Sequence, residues 1–158
     1  MNVGFVLALA FGIGAVAGLR TFTAPAVTAW AAHLYWLNLS GSHLAFMGST
    51  GAVAIFSLGV VVESIVDQLP NTAARTTAPQ LAGRIMMGSL TGACLGVAGS
   101  AAAWIAAVAG ATGSLVGAFG GHGARAAFVR ALHVPDFAIA IPEDLVAIGL
   151  GLLIVRAF

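Results

Sequence analysis

The sequence predicts an all-α, polytopic helical membrane protein with about six transmembrane helices, and three observations carry that reading. Of the 158 residues, 60% are hydrophobic and only 7% are charged, with a mean hydropathy of +1.04. A water-soluble domain carries about a quarter charged residues and needs them for a polar shell. The apolar residues also fall in long runs separated by short polar or proline-bearing stretches, as lipid-spanning helices require. Finally, there are 21 glycines. Apolar side chains gain little from one another in lipid, so helices associate where small residues let backbones approach.

Composition excludes several classes. A net charge of +1 leaves no electrostatic footprint for nucleic acid. Cys94 is the single cysteine, so it forms neither an internal disulfide nor a thiolate cluster, and reads as a small core residue. The four histidines lack metal-ligand spacing, so no metal site is expected. No Gly-x-Ser-x-Gly elbow, phosphate-binding loop or cysteine pair occurs, so no cofactor and no catalytic residue is expected.

Taken in order, Val3–Leu19 is a first span of minimal length. It lacks the positively charged leader of a signal peptide and is expected to be retained. Residues 24–39 are apolar again after Pro25, with Trp30, Tyr35 and Trp36 toward the far end, where aromatic residues favour a headgroup layer. They either span or dip in and return. A turn at 39–42 precedes Leu44–Val66, the clearest span, which holds Glu63 near its end and leads into Asp67 and Pro70. The polar stretch 70–78 follows. Thr77, Pro79 and Gln80 then read as a capping box that starts a new helix.

Residues 80–121 run apolar with only Arg84 inside. As one helix they would reach about 60 Å, twice the hydrocarbon thickness, so a turn at Gly99–Ser100 is expected. Gly88, Gly92 and Gly96 on the first arm, and Gly113, Gly117 and Gly121 on the second, recur every four residues and should mark close helix contacts, with each other or with another subunit. Residues 122–134 are too short to span comfortably and read as an interfacial helix. Pro135 and Asp136 break it before a last span to Phe158. The expected spans are 3–19, 24–39, 44–66, 80–98, 101–120 and 139–157, all within a single transmembrane domain, 1–158.

With six spans, Arg20, Arg75, Arg84, Arg125 and Arg130 share one face and only Arg156 falls opposite. The positive-inside rule makes that face cytoplasmic and both termini external. Gly14–Arg20 and Gly117–Arg125 form a weak internal echo, each leading to a later apolar helix with two carboxylates. Duplicated halves of this kind occur in transporters.

The charges that invite a role are few. Glu63 and Asp67, at i and i+4, lie on one helix face. A carboxylate within the membrane costs several kcal/mol unless paired or hydrated. Arg84 lies on the same side as Glu63 and is the partner to test, though arginine also snorkels. Glu143 and Asp144 follow Pro142, where acids complement a helix N-terminus or face Arg20 or Arg125 across the bundle. His122, between two glycines and close to Arg125, is a candidate for a headgroup phosphate.

Gly18-Leu19-Arg20-Thr21, Glu63 with Asp67 and Leu69-Pro70, Arg75 with Arg84, and later Arg125 and Glu143-Asp144 occur in an order that resembles a bacterial membrane family. That family is catalogued as domain of unknown function 4126, and the resemblance covers nearly the whole chain. It implies a small multi-span protein of the bacterial inner membrane and supplies no reaction, substrate or cofactor.

The leading expectation is a transporter or channel for a small ion or polar solute, with Glu63, Asp67, Arg84, Glu143, Asp144, Arg20 and Arg125 forming a charge network at its cytoplasmic mouth. The alternatives are a structural or accessory subunit that binds partner helices and an enzyme acting on lipid headgroups. Expected partners are membrane lipids and a second copy or partner membrane protein.

Overall fold

The computed structural model describes residues 1–67, 77–132 and 136–158, with the side chains of 126, 128–132 and 136–140 left aside. Arg75, the side chain of Arg130, His133 and the expected break at Pro135 therefore lie outside the described residues. Those described form six α-helices and one short 3-10 turn, with no strand. The helices are α1 (Val3–Leu19), α2 (Thr23–His33), α3 (Thr50–Val66), α4 (Ala78–Ala98), α5 (Ala103–Leu132) and α6 (Asp136–Val155). Asn2 caps α1 by accepting from the Gly4 N–H, and Ser49 caps α3 by accepting from the Ala52 N–H.

Two described stretches, Ala78–Ala98 and Ala103–Arg125, are long and apolar enough to cross a membrane, and α1 and α3 are apolar helices of 17 residues. The turn between α4 and α5 falls at Gly99–Ser100, as the length argument requires. There the Ala101 N–H donates to the Gly96 carbonyl and the Ser100 N–H to the Val97 carbonyl. This doubled pattern is the Schellman motif, which satisfies the last helical carbonyls and places one residue in the left-handed region. Ser100 holds that position, with φ 58°.

Four boundaries differ from expectation. The apolar stretch 24–39 yields only the 11 helical residues of α2, about 16 Å at 1.5 Å per residue, half of a bilayer core. A second Schellman motif ends it, with Trp36 N–H donating to the Ala31 carbonyl and Tyr35 N–H to the Ala32 carbonyl. The stretch 44–66 begins as a 3-10 turn (Ala45–Gly48), and its α-helix starts only at Thr50, where Ser49 supplies the cap. The expected separate helix at 122–134 does not form. Instead α5 continues through His122 to Leu132, because a glycine pair raises the cost of a helix by only about 1 kcal/mol per residue and supplies no competing turn. The last helix starts at Asp136 rather than 139 and carries Pro142 inside it. At the start of α4, Thr77 takes the N-cap position without a side-chain capping bond. Pro79, in the first turn, removes one of the N–H groups that such a bond would use.

The centre of the bundle is α1, α4 and α5. α1 packs most extensively on α5, and α4 on both. α1 and α5 run parallel, since Gly14 meets Gly110 and Gly18 meets Ser114 and Gly117. α4 is antiparallel to α5, since Gly88 meets Gly110 and Ser114 while Gly96 meets Ala103 and Ala106. The sequence spacing anticipates one face of this arrangement and misplaces the other. Gly88, Gly92 and Gly96 do face α5, but Gly113 and Gly117 face α1, at Phe11 and Ala15. The two glycine ridges therefore do not meet each other. Cys94 is buried in the same core.

Around this centre, α2 packs on α3 and α6, and α6 also on α1. Val27 lies against Gly151 and Ile154 against Gly12. Nine of the 11 residues of α2 are buried, so it is a short helix wrapped by longer ones.

Candidate functional site

The α1–α2 hairpin turns within Arg20, Thr21 and Phe22, and this turn gathers the charges. A helix end leaves backbone groups without intrahelical partners. Both ends meeting here are met by side chains from elsewhere in the chain. Arg84 of α4 donates from Nη1 to the carbonyl of Gly18, at 2.6 Å, which satisfies the C-terminal end of α1. Glu63 of α3 accepts from the backbone N–H groups of Thr21 at 2.8 Å and Phe22 at 3.0 Å, one to each carboxylate oxygen, at the positive end of α2. Charge-assisted bonds of this kind are about twice as strong as neutral ones, and the helix dipole favours each sign where it sits.

The same two side chains face each other, with Arg84 Nη2 at 3.7 Å from Glu63 Oε1. Arg84 is 2% exposed. Arg20, equally buried, bridges two other helices. Its Nη1 binds Asp67 Oδ2 at 2.7 Å, and its Nη2 pairs with Asp144 Oδ1 of α6. A looser pair, Arg125 to Glu143 at 3.5 Å, ties α5 to α6. The structure thus brings Arg20, Glu63, Asp67, Arg84 and Asp144 into one cluster at the α1–α2 turn, with Arg125 and Glu143 as a neighbouring pair. His122 is exposed and shares no described bond with Arg125.

Sequence reasoning missed the backbone half of this cluster. The carbonyl of Gly18 and the N–H groups of Thr21 and Phe22 are what Arg84 and Glu63 bind. The available signal was a span ending at Leu19 with only Arg20–Ala24 before Pro25, which leaves no room for a loop. Gly59 was also missed. The Phe22 ring lies over it, so a methyl group there would sit 2.5 Å from Phe22 Cδ1, and the flat contact lets α3 approach the turn.

A second polar feature lies at the other end of α2. The Schellman turn and the segment leading to α3 enclose an open bowl of about 510 Å³. His33, Asn38, Ser40, Ser49 and Thr50 contribute polar groups to it, while Leu37 and Leu39 are among its apolar ones. His33 Nδ1 lies 2.9 Å from the Gly48 carbonyl. A carbonyl only accepts, so Nδ1 carries the proton and Nε2 is left as an acceptor. Beside the bowl the Arg156 guanidinium stacks over Trp36, 5.3 Å from the ring centroid, a favourable cation–π geometry.

Tyr35, on the rim, holds the left-handed position of the Schellman turn with φ 61°, where glycine is the usual residue. The residue is 89% exposed, so little packing offsets the strain. Tyr35→Gly is therefore expected to stabilise the protein by about 1 kcal/mol, or about 3 °C in thermal midpoint. A midpoint that falls instead would show that the tyrosine ring supports the turn.

No curated protein and no solved structure matches the chain. Residues 7–157 match the family model described as Domain of unknown function (DUF4126). That match runs from the second turn of α1 through the end of α6 and takes in every member of the charge cluster and the bowl, so the chain belongs to that family.

Proposed function

We propose that the protein is a polytopic membrane protein that carries a small ion or polar solute along α2, from the bowl at one end to the charge cluster at the other. The observation that carries this reading is the length and setting of α2. A buried helix of 11 residues separates two polar regions by about 16 Å, where a bilayer core would interpose about 30 Å. Membrane transporters build their sites from helices that stop part-way, with N-terminal N–H groups and irregular backbone facing polar ligands. Half-length α2 fits that pattern, and so does its polar N-terminal turn. On this reading the positive-inside rule puts the charge cluster at the cytoplasmic mouth and the bowl outside, together with both termini. The large apolar side chains on the outer faces of α3 and α6, among them Ile55, Leu58, Leu145 and Leu153, would then face lipid.

The test is flux. Purified protein in liposomes is expected to raise the passage of protons, sodium ions, potassium ions or a small polyol by about tenfold over protein-free vesicles, equivalent to about 1.4 kcal/mol. Asp144→Asn should remove most of that increase, because it leaves Arg20 with one carboxylate instead of two. Passage no greater than in empty vesicles across the whole panel would sink the transport reading.

One observation favours a second reading. Glu63 and Arg84 bind backbone at helix ends, which is how charges brace a fold. On that reading the protein is an accessory subunit whose cluster only holds the hairpin. It predicts empty-vesicle flux together with a full structural role for both residues.

A further inference from the structure

We propose that the bowl at the C-terminal end of α2 binds an uncharged, hydroxyl-rich solute of the polyol or sugar class, with Tyr35 as the aromatic plate at its rim. The inference rests on reading the bowl as the entrance of a transport path, and it names the class of solute that enters. Three features select that class. First, the volume of about 510 Å³ falls in the range of small-molecule sites, about 300–1,000 Å³. Second, among the described residues no arginine, lysine or carboxylate lines it, so none of them compensates the charge of a bound ion.

Third, the hydrogen-bonding groups are of both kinds. Asn38 Oδ1 is occupied by the Ser40 N–H, which leaves its amide N–H groups as donors. Ser49 Oγ accepts from the Ala52 N–H, which leaves its own O–H to donate. His33, held through Nδ1 to the Gly48 carbonyl, presents Nε2 as an acceptor. A hydroxyl group both donates and accepts, so a ligand bearing several of them matches this mixture, whereas a cation or an anion uses only half of it.

Tyr35 adds an independent observation. It occupies a backbone position that costs an L-residue free energy and suits glycine, while the residue as a whole is 89% exposed at the edge of the bowl. Backbone strain without a structural return concentrates where a side chain has another use. A flat aromatic face at the mouth of an uncharged polar bowl suits the C–H faces of a sugar or extended polyol, whose hydroxyls then reach Asn38, Ser49 and His33.

The experiment is binding to the purified full chain, by titration calorimetry and by the fluorescence of nearby Trp30 and Trp36. Glucose and sorbitol serve as neutral probes, sodium phosphate and lysine as charged ones. Saturable binding of glucose or sorbitol is expected, with phosphate and lysine at least about tenfold weaker. Tyr35→Phe keeps the ring and should bind like the natural protein. Tyr35→Gly should bind about tenfold more weakly while its thermal midpoint rises, and Asn38→Asp, which keeps the acceptor for the Ser40 N–H but lacks the amide donors, should also weaken binding.

The proposal is overturned if neither neutral probe saturates, or if phosphate or lysine binds more tightly. It is also overturned if Tyr35→Gly raises the midpoint and leaves binding unchanged, which would mark Tyr35 as a surface anchor. Binding without flux in liposomes would sink the transport reading and leave the site standing. Ion flux without glucose or sorbitol binding would sink this inference and leave transport standing.

Discussion

Gly110→Val is expected to leave little folded protein, whereas Gly120→Ala, ten residues along the same helix, should be neutral or slightly stabilising. Gly110 sits where α1, α4 and α5 meet. A methyl group on it would overlap the Gly88 carbonyl and come within 3.1 Å of Gly92 Cα. From the other side, a methyl group on Gly14 would overlap the Gly110 backbone itself. The obstacles are backbone atoms, which cannot rotate away as a side chain can. Two helices would have to separate, and the tight contacts along both interfaces would be lost together. Overpacking a close-packed interior costs about 1–3 kcal/mol when side chains absorb it, and the cost here should reach or exceed the top of that range. Gly120 has nothing within 4 Å of an added methyl group, so an alanine there gains up to about 1 kcal/mol of helix propensity. Size-exclusion profiles and thermal midpoints of both variants check the contrast. A Gly110→Val protein that elutes and melts like the natural one would refute the three-helix contact.

Glu63→Ala and Arg84→Ala are each expected to cost about 3–5 kcal/mol, the loss that follows when one member of a buried ion pair is removed. Each substitution strips two things at once. Without Glu63, the N–H groups of Thr21 and Phe22 lose their acceptor and Arg84 loses a facing carboxylate. Without Arg84, the Gly18 carbonyl loses a charged donor at 2.6 Å and Glu63 loses the guanidinium that faces it. The double variant Glu63→Leu with Arg84→Met separates the roles, because apolar replacements of a whole pair are often neutral or stabilising. If the double variant recovers most of the stability, and also the flux of the natural protein, the cluster is a brace and nothing more. If it recovers stability while flux stays lost, the cluster belongs to the transport path. Stability that remains lost would show that the backbone groups at the hairpin need polar partners that leucine and methionine cannot supply.

These two predictions draw on different amounts of sequence information. The pair Glu63–Arg84 is legible from chemistry, since a carboxylate and a guanidinium inside apolar runs need partners and each was the other's nearest candidate. The contact at Gly110 is not. Its spacing puts it outside both four-residue glycine series, and in a chain with 21 glycines spacing alone does not show which ones lie between backbones. The series Gly113 and Gly117 was visible, yet nothing in it distinguishes α1 from α4 as the partner, because both offer small residues at the same period.

The α2 region shows the same limit. Residues 24–39 are apolar throughout, and hydropathy counts residues without knowing where the helix stops. The stop comes from a Schellman turn with Tyr35 in its left-handed position, and such a turn is held by backbone hydrogen bonds that hydropathy does not register. The extension of α5 past Gly121 was misjudged for the opposite reason. The glycines around His122 permit a break but do not compel one, and the helix continues in their absence of any competing turn.

By itself, the sequence determined the helical class, the order and most ends of the long helices, the turn at Gly99–Ser100, and the gathering of acids and arginines toward one end. Those properties follow from hydropathy, from chain length against helix rise, and from the cost of an unpaired charge, all of which act locally or through composition. Only the tertiary structure decided which glycines touch backbone, that Glu63 and Arg84 close the ends of α2 and α1, that Arg20 joins Asp67 to Asp144, and that the bowl exists. Each of these depends on the relative placement of helices distant in the chain, and in a sequence built so largely of alanine, glycine and aliphatic residues many packings satisfy the same local preferences.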